Sequence, residues 1–150
     1  MNAITQTLLN IKEFAEGEKP LDYVLIAVNE AKAEFQNRIF NSEEGAKDDK
    51  GKGLGRYTNA YARYRITKGR QAKVIDLELT GSLRRDIKVI KNQSQVLIII
   101  ISDVELEKLE HLEMMYTTKI FSLNKGEHER YAEKAAELFI GELIHIFNNE

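Results

Sequence analysis

The sequence predicts an α+β domain, with N-terminal helices, a small and mostly antiparallel sheet of about three strands, and C-terminal helices packed on it. Three observations point there. Residues 73–103 (KVIDLELTGSLRRDIKVIKNQSQVLIIIISD) contain three short apolar runs separated by turn residues. On either side of this stretch, apolar residues recur at helical spacing. Strands and helices therefore occupy separate parts of the chain rather than alternating, which is the α+β pattern. A chain of 150 residues without an internal repeat or a Pro/Ser-rich linker fits a single domain over 1–150.

Ile4, Leu8, Ile11 and Ala15 form the first helical stripe, which Gly17 and Pro20 interrupt. Pro20 suits the first turn of a second helix, where its missing N–H costs nothing. Leu21, Val24, Leu25, Val28, Ala31, Phe35 and Ile39 then lie along one face, predicting a helix over about 20–41. Residues 42–56 (SEEGAKDDKGKGLGR) hold four glycines, alternate in charge and lack an apolar stripe, so a mobile loop is expected. Tyr57, Tyr61 and Tyr64, spaced four and three apart, suggest a short helix or turn with a tyrosine face. The rings either pack the loop onto the sheet or, beside Arg63 and Arg65, stack on bases.

The first strand is expected over 74–79, where Val74, Asp76 and Glu78 alternate with Ile75, Leu77 and Leu79. Thr80-Gly81-Ser82 ends it, with Gly81 supplying positive φ for a turn or bulge. A second strand follows from Leu83 through Ile87 to Val89, although Arg85 shares the apolar parity and spoils the period. Lys91-Asn92-Gln93-Ser94 has turn chemistry. Val96–Ile101 is an unbroken run of six apolar residues, so both faces of that strand are expected to lie against something. One face takes the chain's own helices, and the other takes a second layer or another subunit.

Asp103 is placed to cap a helix with the stripe Leu106, Leu109, Leu112 and Met115 or Tyr116. Lys119-Ile120-Phe121 reads as an apolar anchor, and Asn124 with Glu127 as a capping-box start. The last helix, about 125–147, carries Tyr131, Ala135, Leu138, Ile144 and Phe147, while Phe139, Ile140, Leu143 and Ile146 widen its apolar surface. Asn148-Asn149-Glu150 reads as a frayed end.

The net charge of −2 hides an asymmetry. Residues 1–44 are net −4, residues 45–91 carry thirteen basic and five acidic side chains for net +8, and residues 92–150 are net −6. A basic middle between acidic ends suits a nucleic-acid surface or subunits that attract head to tail. There is no cysteine, hence no disulfide framework or thiolate metal site, in keeping with a reducing cytoplasm. No basic start followed by an apolar segment suggests a secretory signal, and no apolar run reaches membrane-spanning length, so no membrane partner is expected.

No arrangement of residues points to catalysis. Gly45 and Gly51-Lys52 are one residue too far apart for a phosphate loop, and Gly53 stands where Ser or Thr is required. Asp48 and Asp49 lack the ligand spacing of a calcium loop. His111, His128 and His145 have no partner at metal-binding spacing, and no serine sits in a nucleophile elbow. No catalytic residue, cofactor or metal is expected.

Leu79-Thr80-Gly81-Ser82-Leu83-Arg84-Arg85-Asp86-Ile87 resembles the L-T-G-x-L-(R)-x-x-I signature of tailed-phage virion-morphogenesis proteins, the tail-completion or neck proteins of the head–tail connector. In that family the signature precedes a strand hairpin, then a His-centred segment, an apolar anchor and a C-terminal helix. Here His111, Lys119–Asn124 and Glu127 take those places in order, and Gly51–Arg70 is similar to the family's Gly-rich, Tyr/Arg-containing loop. The family's Pro-Arg-Pro before the anchor is absent, and no Gly follows His111 closely. The resemblance implies a non-enzymatic virion protein, assembled in the bacterial host cytoplasm into a homo-oligomeric ring in the neck or tail. Its partners would be its own copies and neighbouring portal, neck or tail proteins, with passive contact to DNA in the lumen. On this reading Val96, Ile98, Ile100, Phe139 and Leu143 are expected at the subunit interface. Lys68, Arg70, Arg84, Arg85 and Lys88 are expected to face an acidic neighbour or DNA. The competing expectation is a small nucleic-acid-binding protein that uses the basic segment 45–91.

Overall fold

A computed structural model describes residues 3–78 and 80–148. Leu79 of the expected first strand, the side chain of Ile4, and Asn149 and Glu150 of the expected frayed end lie outside them. The element order is α1 (Ala3–Glu16), α2 (Lys19–Ile39), α3 (Asn59–Thr67), α4 (Ser82–Asp86), β1 (Ile87–Lys91), β2 (Val96–Ile100), α5 (Asp103–Tyr116) and α6 (Lys125–Asn148). The α+β class holds, with two antiparallel strands rather than three.

Helix α2 is the axis of the fold. Pro20 sits in its first turn, and Ala27, Val28, Ala31, Phe35 and Ile39 form its buried face at the expected spacing. It touches α1, α6 and both strands. Helix α6 runs antiparallel to it. Arg38 pairs with Glu127 at one end and Lys19 with Glu142 at the other. The centre of the core is Phe35, Ile39 and Phe40 against Leu83, Ile87 and the fully buried Ile120.

The strands pair from Ile87↔Ile100 to Lys91↔Val96 around the predicted turn, where Asn92 Oδ1 accepts from the backbone N–H groups of Ser94 and Gln95. The inward parity is Ile87, Val89, Lys91, Val96, Ile98 and Ile100. Lys91 reaches back to Asp22 in the first turn of α2, at 2.6 Å. The outward parity is Lys88, Ile90, Leu97 and Ile99, with Ile101 just past the strand.

The expected first strand is absent from the described part of 74–79. Leu77 has φ +53°, which breaks an extended run, and Asp76 turns inward to a buried arginine instead of outward to water. Its alternation of charge therefore reflects a buried ion pair and not a half-wet strand. Leu83 belongs to α4, and β1 starts only at Ile87. The exposed Arg85 that spoiled the strand period lies on this helical turn.

Gly81 has φ +74° at the N-cap of α4, so the required positive φ serves a helix start and not a strand turn. An added Cβ would meet the side-chain tips of Arg85 and Glu78, both movable, so the left-handed backbone sets the cost. Gly81→Val is expected to cost about 1–3 kcal/mol, a drop of several degrees in melting temperature. A variant that melts with the parent contradicts this assignment.

Residues 42–56, expected as a mobile loop, are tied to the chain at several points. Asp48 accepts from the N–H groups of Lys50 and Lys52 and from the Thr118 hydroxyl, and the Asp49 N–H donates to the carbonyl of Lys119. The aspartates that do not form a calcium loop thus organise a turn. Burial raises the Asp48 carboxyl, but these hydrogen bonds outweigh it and hold the group below its usual value.

The N-cap of α5 is Ser102, not the expected Asp103. Asp86 Oδ2 accepts from the N–H groups of Ile101 and Ser102 at 3.0 and 2.7 Å, fastening the end of α4 to the start of α5. The capping box of α6 is reciprocal: Glu127 N–H donates to Asn124 Oδ1 at 2.8 Å, and Asn124 N–H to Glu127 Oε2 at 2.7 Å.

Glu113, in the last turn of α5, secures the 119–121 anchor. Its Oε1 accepts from the N–H groups of Ile120 and Phe121, and its Oε2 from Lys119 Nζ. Burial raises this carboxyl's pKa, but the hydrogen bonds from Lys119, Phe121 and Ile120 bring it below the ordinary 4.5. A folded-state pKa below the unfolded one stabilises above the unfolded value, and that stability is lost as pH falls through the lowered folded value. Glu113→Gln is therefore expected to flatten the decline of the denaturation midpoint between about pH 5 and pH 3. An unchanged slope contradicts it.

Candidate functional site

A cleft of about 660 Å³ lies between α3, the turn at 80–84 and α5. Its lining is a largely apolar wall with a few charged groups, the composition a ligand or a partner segment could use. Three arrangements shape it.

The first is the seat of α3. Thr58 caps the helix, and Arg65, 1% exposed, anchors its inner side. Arg65 Nη2 donates to Asp76 Oδ1 at 2.7 Å and to the carbonyl of Glu78, and its Nε donates to the carbonyl of Gln71. Tyr57 donates its hydroxyl to Asp76 Oδ1 at 2.9 Å, and its ring lies 4.4 Å from the Arg65 guanidinium. Burial, first among several causes, raises the Tyr57 hydroxyl well above its usual range, so it remains a donor. Tyr61 and Tyr64 continue the series outward and are exposed, with Tyr57–Tyr61 and Tyr61–Tyr64 centroids 5.2 and 5.9 Å apart. So one tyrosine packs as expected, and two present their rings to solvent.

The second is the wall formed by Phe40, Leu83, Leu112, Met115 and Tyr116, with Leu112 and Tyr116 packed against the core and Met115 open to solvent. The third is Glu105, buried in the first turn of α5. Lys108 Nζ lies 2.6 Å from its Oε1, while Oε2 has no hydrogen-bond partner. A glutamate at this helix position commonly returns to the N-cap N–H, but Asp86 already takes that donor. Sequence reasoning missed Glu105, since a glutamate among four in one helix carries no mark of burial.

Among the expected basic residues, Arg84 lines the cleft with Arg56, Lys108 and His111. It pairs with Glu78 at 3.5 Å and lies over the Phe40 ring. Lys68, over the Tyr64 ring, and Arg70 follow α3, whereas Lys88 stands on the outer face of the hairpin. Arg85 is exposed and donates to the carbonyl of Thr80. The five expected residues therefore do not all line one site.

The expected interface residues face inward. Ile98 and Ile100 pack on the core, Val96 lies with Val28, Phe35 and Tyr131 around a small cavity, and Phe139 stacks on Phe14 at 5.0 Å. Leu143 is half-buried. In an all-apolar strand either parity could have turned inward; contact with α2 takes the Val96–Ile98–Ile100 set, while Ile99 of the other parity is half-buried. Large apolar residues are exposed on several elements; those next to the expected interface residues are Ile90, Leu97 and Ile101 at the hairpin and Ile140, Ile144 and Phe147 on α6.

No family model, curated protein or solved structure matches this chain. Among the described residues there is no cluster of metal-binding side chains, and no helix is long and apolar enough to cross a membrane. The histidines are dispersed: His111 at the cleft, His128 against Tyr131, and His145 on the last turns of α6.

Proposed function

We propose that this protein is a non-enzymatic structural subunit of a tailed-phage virion that assembles into a homo-oligomeric ring in the neck or at the finished tail. The phage assignment comes from the resemblance over 79–87. The observation that carries self-assembly is the uncovered apolar surface on two separate elements. On the hairpin, Ile101 is 62% exposed beside Leu97 and Ile90; on α6, Phe147 is 60% and Ile144 53% exposed. Contiguous exposure of such residues characterises interaction surfaces. Two unlike surfaces on one subunit suit head-to-tail contacts, which close into a ring where the rotation between successive copies closes. Portal, neck or tail proteins would then meet the ring's faces, and its basic residues an acidic neighbour or DNA in the lumen. Assembly would take place in the host cytoplasm.

Electron micrographs of the purified protein test this. Closed rings of uniform diameter are expected, and dispersed single subunits at every concentration contradict it. One observation favours a second reading, a nucleic-acid-binding protein: exposed Tyr61 and Tyr64 lie beside the exposed Arg63 and Lys68. That reading expects binding to DNA that falls steeply with salt, in proportion to the phosphates neutralised.

A further inference from the structure

We infer that the subunit contact is asymmetric, with the Ile140–Ile144–Phe147 stripe of α6 from one copy entering the α3–α5 cleft of the next. This rests on the ring-assembly reading and names its interface.

Ile140, Ile144 and Phe147 are spaced i, i+4, i+7, so they form one exposed ridge. Helices dock into apolar grooves through anchors at this spacing. The exposed side of α6 leading into the ridge is acidic, with Glu133 and Glu137, while the cleft rim carries Arg56, beside Arg84 and Lys108, which pair with Glu78 and Glu105. Ridge and cleft are thus complementary in both apolar character and charge, in line with the basic middle and acidic end of the chain. Gly141 flanks the ridge, one helical turn before Ile144, and a Cβ there would meet nothing within 4 Å. Nothing in the chain's own packing requires glycine at this exposed mid-helix position, where it lowers helix propensity, and its absent side chain lets another backbone approach.

The geometry also excludes closure within one subunit. The cleft lies beside Phe40 at the C-terminal end of α2, and the ridge runs past Glu142, whose partner Lys19 is at the N-terminal end. The 21 residues of α2 separate these ends by about 30 Å. A ridge at one end and a cleft at the other give a heterologous contact, which repeats from copy to copy.

The chain has no cysteine, so paired substitutions report the contact directly. Phe147→Cys protein mixed with Met115→Cys protein, under mild oxidation, is expected to give a cross-linked pair containing one of each. The double variant is expected to give a ladder that ends at the ring. Phe147→Glu and Met115→Glu, at exposed positions that leave the core intact, are each expected to weaken self-association by about tenfold or more, as loss of a buried anchor does. Disulfides joining Phe147→Cys to itself, reporting a twofold contact, would overturn the inference. So would normal assembly by both glutamate variants, which leaves the ring reading standing with another interface. A parent that stays monomeric overturns both.

Discussion

Asp76→Ala is expected to destabilise the protein by about 3–5 kcal/mol, enough to unfold a marginally stable domain. The substitution leaves the Arg65 guanidinium, 1% exposed, without its counter-charge. It also removes the acceptor of the Tyr57 hydroxyl at 2.9 Å and of Gln71 Nε2 at 2.6 Å. The Glu78 N–H loses its acceptor too, and the buried guanidinium keeps only backbone carbonyls as partners, so the cost of its desolvation is no longer offset. Asp76→Asn keeps acceptor capacity but not the charge, so an intermediate loss is expected. Urea denaturation of the three proteins checks this. An Asp76→Ala midpoint within error of the parent contradicts the claim that this pair seats α3. The cleft should suffer too, because Tyr57, Arg65 and Leu77 all line it.

Arg38→Ala carries the second large effect, also about 3–5 kcal/mol. Arg38 holds Glu127 at 2.7 Å through Nε, and its remaining donors reach the carbonyls of Lys47, Ile120 and Ser122. One planar group therefore joins the end of α2, the 42–56 segment, the 119–121 anchor and the capping box of α6. Arg38→Lys is expected to recover little, since an ammonium cannot span these acceptors with a rigid fork. A lysine variant as stable as the parent would show that the charge alone matters and not the fork. Both ion pairs are buried, so truncating one partner exposes the full cost of the other, whatever the net worth of the intact pair.

The helical part of the fold was legible because its signals are periodic and local. The stripe from Leu21 to Ile39, Pro20 in the first turn and the Asn124/Glu127 capping box all fall where their chemistry puts them. The hairpin was legible from the Asn92 turn and the apolar run after it. Residues 74–86 misled because an inward aspartate and an outward one have the same place in a period of two. Only the long-range partner, Arg65, decides that Asp76 is buried. The candidate interface was legible as an excess of apolar residues but not as a choice of face. Val96, Ile98 and Ile100 cannot be told from Leu97, Ile99 and Ile101 until α2 covers one set. Glu105 and the cleft it lines were not legible at all, since they arise where α3, α4 and α5 meet. A hairpin, β1–β2, does follow the α4 turn, but a hairpin is common to many folds and carries no function by itself.

The central claim is that the chain completes its surface with further copies of itself. The most direct measurement is the native mass of the purified protein over a range of concentrations, at low and moderate salt, with and without duplex DNA. A discrete homo-oligomer, a fixed multiple of the 17.2 kDa chain and indifferent to DNA, is the predicted result. A 17.2 kDa monomer that joins DNA and releases it as salt rises would contradict the account and favour the nucleic-acid reading.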